Sequence, residues 1–179
     1  MIQEECKTPD WLLRPAEIEC RNSWSVIQLI YQALTSRSLP HEMPPRERRK
    51  VDAVIRTAAG PRIVEVDETQ HFNEYRAETL RLYPASTLLA FDSDAWIKKS
   101  STKKRLEGGG FGRPCPPLFP DEGGRHRQRA FRDALCDLVP LEHGFLPTLR
   151  IAYFEVHGWL YSADARDRMR TLLAAKGVS

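Results

Sequence analysis

No apolar run in this sequence approaches the ~20 residues that a membrane-spanning helix needs. The first six residues are acidic and have no apolar core, so no secretory signal is expected there. The four cysteines, Cys6, Cys20, Cys115 and Cys136, are far apart and form no C-x-x-C. That argues against a zinc site or a disulfide framework and for reduced thiols in a cytoplasmic setting. No internal repeat is visible. The glycine run 108–110 is not followed by the Gly-Lys-Ser/Thr of a P-loop.

What is present fits one soluble domain. A chain of 179 residues can bury a sizeable core, and its 41% hydrophobic and 28% charged residues are ordinary for a globular protein. The net charge of +3 is unevenly placed. Residues 98–132 carry ten Lys or Arg against three Asp or Glu, so a basic segment sits on a mildly acidic body. That suggests a polyanionic partner; a solvated basic loop is the plain alternative.

The chain is organised around residues 62–72. Ile63, Val64 and Val66 are branched and apolar, as strands favour. Side chains alternate along a strand, so Glu65 and Asp67 share one face. Two acids on an otherwise apolar strand are costly to bury, and a divalent cation is the simplest compensation. Residues 50–56 read as a second strand, and the turn-rich stretch 57–61 should close a hairpin. Antiparallel pairing then brings Asp52 beside Glu65 and Asp67. Arg48, Arg49 or Arg62 could instead pair with these acids in a purely structural cluster.

An acid on one strand, then acid-x-acid on the next and a histidine soon after, resembles the PD-(D/E)XK nuclease superfamily, in particular its small restriction- and Vsr-like members. The likeness covers about residues 15–95. It departs from the family pattern at Asp67, which stands where the usual lysine would be. The resemblance implies a restriction-endonuclease-like α/β (α+β) fold, a mixed central sheet flanked by helices. It also implies a Mg²⁺- or Mn²⁺-dependent endonuclease acting on DNA, most simply double-stranded. Asp52 and Glu65 would hold the metal, with Asp67 and Glu19 as further ligands; Glu17 ranks below Glu19. Asp67, Gln70 and His71 would complete the catalytic site. A nuclease-like module that binds nucleic acid or a partner protein without cutting is the alternative. A homodimer or larger complex stays open.

Around that centre the pattern predicts a helix over 15–34, with Ile18, Val26, Ile30 and Leu34 inward. Residues 36–45 are a Pro-rich connection with a short strand near 39–42. Asn73 should cap a helix over 74–83, ended by Pro84. A central strand is expected over 86–91, with Asp92 and Asp94 as turn and cap residues. Residues 98–124 read as a basic loop, and 125–179 as an extension containing a helix over 125–138, a strand over 147–156 and a last helix capped by Ser162. Candidate phosphate contacts are Arg48, Arg49 and Lys50 before the first hairpin strand, Lys103, Lys104 and Arg105 in the loop, and Arg125, Arg129 and Arg132 on one helix face.

Overall fold

The computed structural model describes residues 3–5, 7–45, 49–102 and 112–178, with backbone alone for 3–5. Arg48, Lys103, Lys104 and Arg105 therefore lie outside the described residues. The architecture is mixed α+β: a four-stranded mixed sheet flanked by helices. Among the described residues, no helix is long and apolar enough to cross a membrane.

The expected hairpin is the centre of the sheet. Strand β2 (Ala53–Thr57) runs antiparallel to β3 (Gly60–Asp67), with Thr57 opposite Gly60 and Ala53 opposite Val64. Gly60 has φ +136°, a conformation that side chains disfavour, so the tight connection requires a glycine. Edge strand β1 (Gln3–Glu5) pairs with β2. On the other side β4 (Leu146–Ala152) lies parallel to β3 and opposes Arg150 to Glu65 and Ala152 to Asp67.

The amino-terminal helices are shorter than the periodicity suggested. They run as α1 (Asp10–Leu13), α2 (Glu17–Cys20), a 3₁₀ turn (Arg21–Ser23) and α3 (Trp24–Thr35). Arg21 at φ 50° interrupts the expected single helix, and Ile18 is left 80% exposed instead of inward. Trp24, Ile27, Ile30 and Leu34 of α3 do face the core. After β3 come a 3₁₀ turn (Thr69–His71) and α4 (Glu74–Arg81), whose Asn73 cap accepts the Arg76 N–H. Then follow α5 (Ser93–Ser101), capped by Asp92, and α6 (Gly124–Glu142).

Helix α6 is the organising element of the core. It packs against α1, α2, α3 and α4, and also against β3 and β4. Ala130, Phe131, Ala134, Leu135 and Leu138 are buried among the helices. Arg129, Asp133, Cys136 and Asp137, at i, i+4, i+7 and i+8, are buried too and form a polar stripe. The segment expected as an extension thus supplies both the helix that covers the sheet and the parallel partner of β3. No strand forms over 86–91 or 39–42. The place beside β3 is taken by β4, so 86–91 finds no ladder. Its Phe91 instead joins Trp96, Phe72 and Phe154 in a second, aromatic core. Strand β4 ends at Ala152 because Glu155 accepts the Ala152 N–H and starts α7 (Tyr153–Val156). The last helix, α8 (Ala165–Ala175), begins after Asp164 and not after Ser162.

Candidate active site

The face of β3 that carries the acids is the buried one. Ile63, Glu65 and Asp67 point inward, while Val66 is 44% exposed. The acids tolerate this because α6 and β4 bring polar partners to meet them. Glu65 takes two bonds on one oxygen, Oε1: Arg49 Nη2 at 2.8 Å and the Cys136 thiol at 3.2 Å. Oε2 is left for a ligand. Burial pushes the Cys136 thiol well up, with Glu65 adding to the effect, so Cys136 stays a neutral donor. Arg49 is anchored in turn, donating to the Arg132 carbonyl.

Asp52 lies just ahead of β2, and the hairpin register carries it across from Glu65. Its Oδ2 accepts the Val66 N–H at 2.7 Å, and the residue is exposed. Among the described residues, the hydrogen bonds to Asp52 and Glu65 thus fall on one oxygen of each. Both line an open pocket of about 320 Å³. The same pocket collects Arg49, Lys50, Gln70, His71, Arg125, Arg129 and Arg132, together with Glu68, Val66 and Asp133. Its acidic side comes from the hairpin and its basic side from α6 and the approach to β2. The Gln70 side chain donates to Glu68, and the Gln70 carbonyl accepts from Arg129 at 3.3 Å.

Glu19 lies away from the pocket, and Asp67 lies beneath it. Glu19 caps its own short helix, accepting the Ala16 N–H at 2.9 Å, and does not line the pocket. Breaking the long helix at Arg21 removes the geometry that would have pointed Glu19 toward the hairpin. Asp67 is 1% exposed and fully engaged. Its Oδ1 accepts from Arg150 Nη1 at 2.6 Å and its Oδ2 from Trp96 Nε1 at 2.8 Å.

Beneath the pocket lies an ionic network that extends from Asp67. Arg150 also bonds Asp137 Oδ1 through Nε at 2.7 Å, approaches Asp133 at 3.5 Å and donates to the Asp133 carbonyl. Asp137 receives Arg76 at 2.7 Å and the Tyr83 hydroxyl at 2.7 Å. His71 sits where network and pocket meet. Its Nδ1 is 3.0 Å from Asp133 Oδ2 and 3.7 Å from Asp67 Oδ1. A carboxylate only accepts, so the proton lies on Nδ1 and Nε2 is the atom free for chemistry. Burial opposes protonation of His71, but the charge and hydrogen bond of Asp133, with Asp67 behind, outweigh it and raise the pKa. Burial also pushes Asp133 up, and facing His71 and Arg150 reverse this, holding its carboxyl far below the usual range.

Donor atoms of Asp67, His71 and Asp133 come within 4.8 Å of one another, close enough to hold a cation. The Arg150 guanidinium already supplies positive charge to both carboxylates, so the trio reads as an internal ion cluster. Asp133 and Arg150 were missed in the sequence. A cation between Leu149 and Ile151 in an apolar strand, and acids on an otherwise buried helix, are the signals that could have found them.

A family model described as "Family of unknown function (DUF7255)" matches residues 30–113, which hold the second half of α3, the hairpin, α4 and α5. No curated protein and no solved structure matches the chain.

Proposed function

We propose that this protein is a divalent-metal-dependent endonuclease that hydrolyses DNA phosphodiester bonds. The observation that carries the reading is the single pocket in which Asp52, Glu65 and His71 meet five basic side chains. Asp52 and Glu65 would hold Mg²⁺ or Mn²⁺. They fit such an ion, because each offers one pre-positioned hard oxygen, and Mg²⁺ commonly takes one or two carboxylates plus substrate phosphates. The ion supplies Lewis acidity toward a phosphate oxygen and toward water.

The protein's own groups do the rest. Lys50, Arg125, Arg129 and Arg132 hold the polyanion at the pocket's basic side. His71 Nε2 accepts a proton from the attacking water or returns one to the leaving oxygen. Asp133 holds Nδ1 and thereby fixes the ring and its tautomer. The pocket arginines supply the positive charge that lysine gives in the family pattern, because the Asp67 position is committed to Arg150. A second reading, binding without cutting, is favoured by the pairing of Glu65 with Arg49. The test separates them: plasmid and short duplexes are incubated with Mg²⁺ or Mn²⁺ alongside Asp52→Asn and Glu65→Gln. Metal-dependent cleavage lost in both variants, with DNA affinity retained, is the expected result. DNA binding with no cleavage under any metal would leave the binding module.

A further inference from the structure

Beside the acidic pocket lies a second cleft of about 370 Å³, between residues 113–116 and the first turns of α6. Arg113, Cys115, Arg125, Gln128 and Arg132 line it, and among the described residues no carboxylate does. Arg125 and Arg132 line both cavities, so the two are neighbours along one helix face. The first pocket mixes acids with cations and suits a metal and a reacting phosphate. The charged groups of the second, among the described residues, are the three arginines, which suit an anion.

We propose that this cleft is a second phosphate subsite, for a backbone phosphate of the same DNA strand whose scissile phosphate enters the acidic pocket. The proposal rests on the nuclease reading for the identity of the polymer. Continuity supports it: Arg125 and Arg132 border both cavities, so a strand lying in one passes directly to the other.

The cleft is also built in advance. Its wall is fastened to the start of α6 by Arg125 N–H to the Arg113 carbonyl at 2.9 Å, and paired bonds between Cys115 and Phe119 close the wall on itself. Gly124 permits this close approach, since a Cβ there would meet the Phe119 carbonyl at 2.2 Å. Phe119 is buried beneath, against Tyr31 and Phe131, and keeps the wall in place. Gln128 accepts from Arg125 Nη1 at 2.6 Å and steadies the guanidinium between the two cavities. The nearby acid Asp121 is turned to Arg37 at 3.1 Å. Arg113 is exposed and belongs to the second cleft alone, so it isolates that site in a test.

The experiment measures affinity of the full-length protein for a labelled DNA duplex in EDTA across a range of NaCl concentrations. Arg113→Gln should lower the salt slope by about 0.9, one phosphate's worth, and weaken binding about eightfold at 0.1 M relative to 1 M salt. Disulfide trapping gives a second readout. The half-exposed Cys115 thiol is offered duplexes whose tethers at successive phosphates end in an activated mixed disulfide, so that exchange releases the small leaving thiol, with Cys115→Ser as the control. Trapping should concentrate in a window of a few nucleotides on one strand. An unchanged affinity and slope in Arg113→Gln, or trapping that is uniform along the duplex, overturns the subsite. Arg113-dependent binding without metal-dependent cleavage would sink the nuclease reading and leave the subsite standing. Cleavage by a protein whose binding ignores Arg113 does the reverse, and absence of DNA binding overturns both.

Discussion

Arg150→Met should destabilise the fold strongly, and in a manner that depends on pH. The arginine is completely buried and faces Asp67 at 2.6 Å, Asp137 at 2.7 Å and Asp133 at 3.5 Å. Methionine roughly keeps the volume but leaves three buried carboxylates with Arg76 and His71 as the remaining cationic partners. Removing one partner of a buried ion pair costs about 3–5 kcal/mol. At 2–4 °C per kcal/mol for a chain of this size, the melting temperature falls by roughly 6–20 °C. The sign with pH follows from the carboxyls. In the native protein Asp133 has its folded pKa below the unfolded one. Its contribution is therefore present above the unfolded pKa and lost as pH falls through the folded value. Without Arg150, burial raises the carboxyl pKa values instead, so acidification relieves the variant. The deficit is largest near neutral pH and shrinks on acidification, as protonation removes the unpaired charge. Urea melts of both proteins across this range test it, and adding Asp67→Asn to the variant should recover part of the loss. A deficit under about 1 kcal/mol at pH 7, below the usual cost of a broken buried pair, would refute the network as a source of stability. So would a deficit that grows on acidification.

Other outcomes follow from the same geometry. His71→Ala should slow metal-dependent cleavage by about 10²-fold or more, the scale of a lost acid–base group. Asp133→Asn should reduce kcat more than KM and remove the Nδ1–H imidazole signal in NMR spectra; an intact signal with full activity refutes the orienting role. His71 has a folded pKa above its unfolded value of 6.5, so it stabilises the fold below that pH and the gain disappears as pH rises through the folded pKa. His71→Ala should flatten stability over that window, as read by thermal melts. Asp67→Lys should unfold the protein and not restore the family pattern, because the new cation would face Arg150 at a position with 1% exposure; a folded variant by circular dichroism counts against this. Asn73→Ala should cost about 1 kcal/mol in chemical denaturation, the worth of a helix cap.

What the sequence determined by itself was local. Alternating apolar residues and a Gly-Pro turn specify the hairpin, and the strict period of two puts Asp52, Glu65 and Asp67 on one face of it. Asn73 and Asp92 act as caps because their side chains bond to amides only two or three residues away. The basic side chains at 125, 129 and 132 share a helix face for the same short-range reason. Tertiary structure decided which strand pairs with β3, and so whether 86–91 becomes a strand. A short apolar run carries no record of its partner. It also decided the fate of each acid. Glu65 keeps an oxygen for the pocket while Asp67 is consumed by Arg150, 83 residues away in the chain, and His71 is held by Asp133, 62 residues away. Burial and charge pairing act through space, and no spacing along the chain contains them.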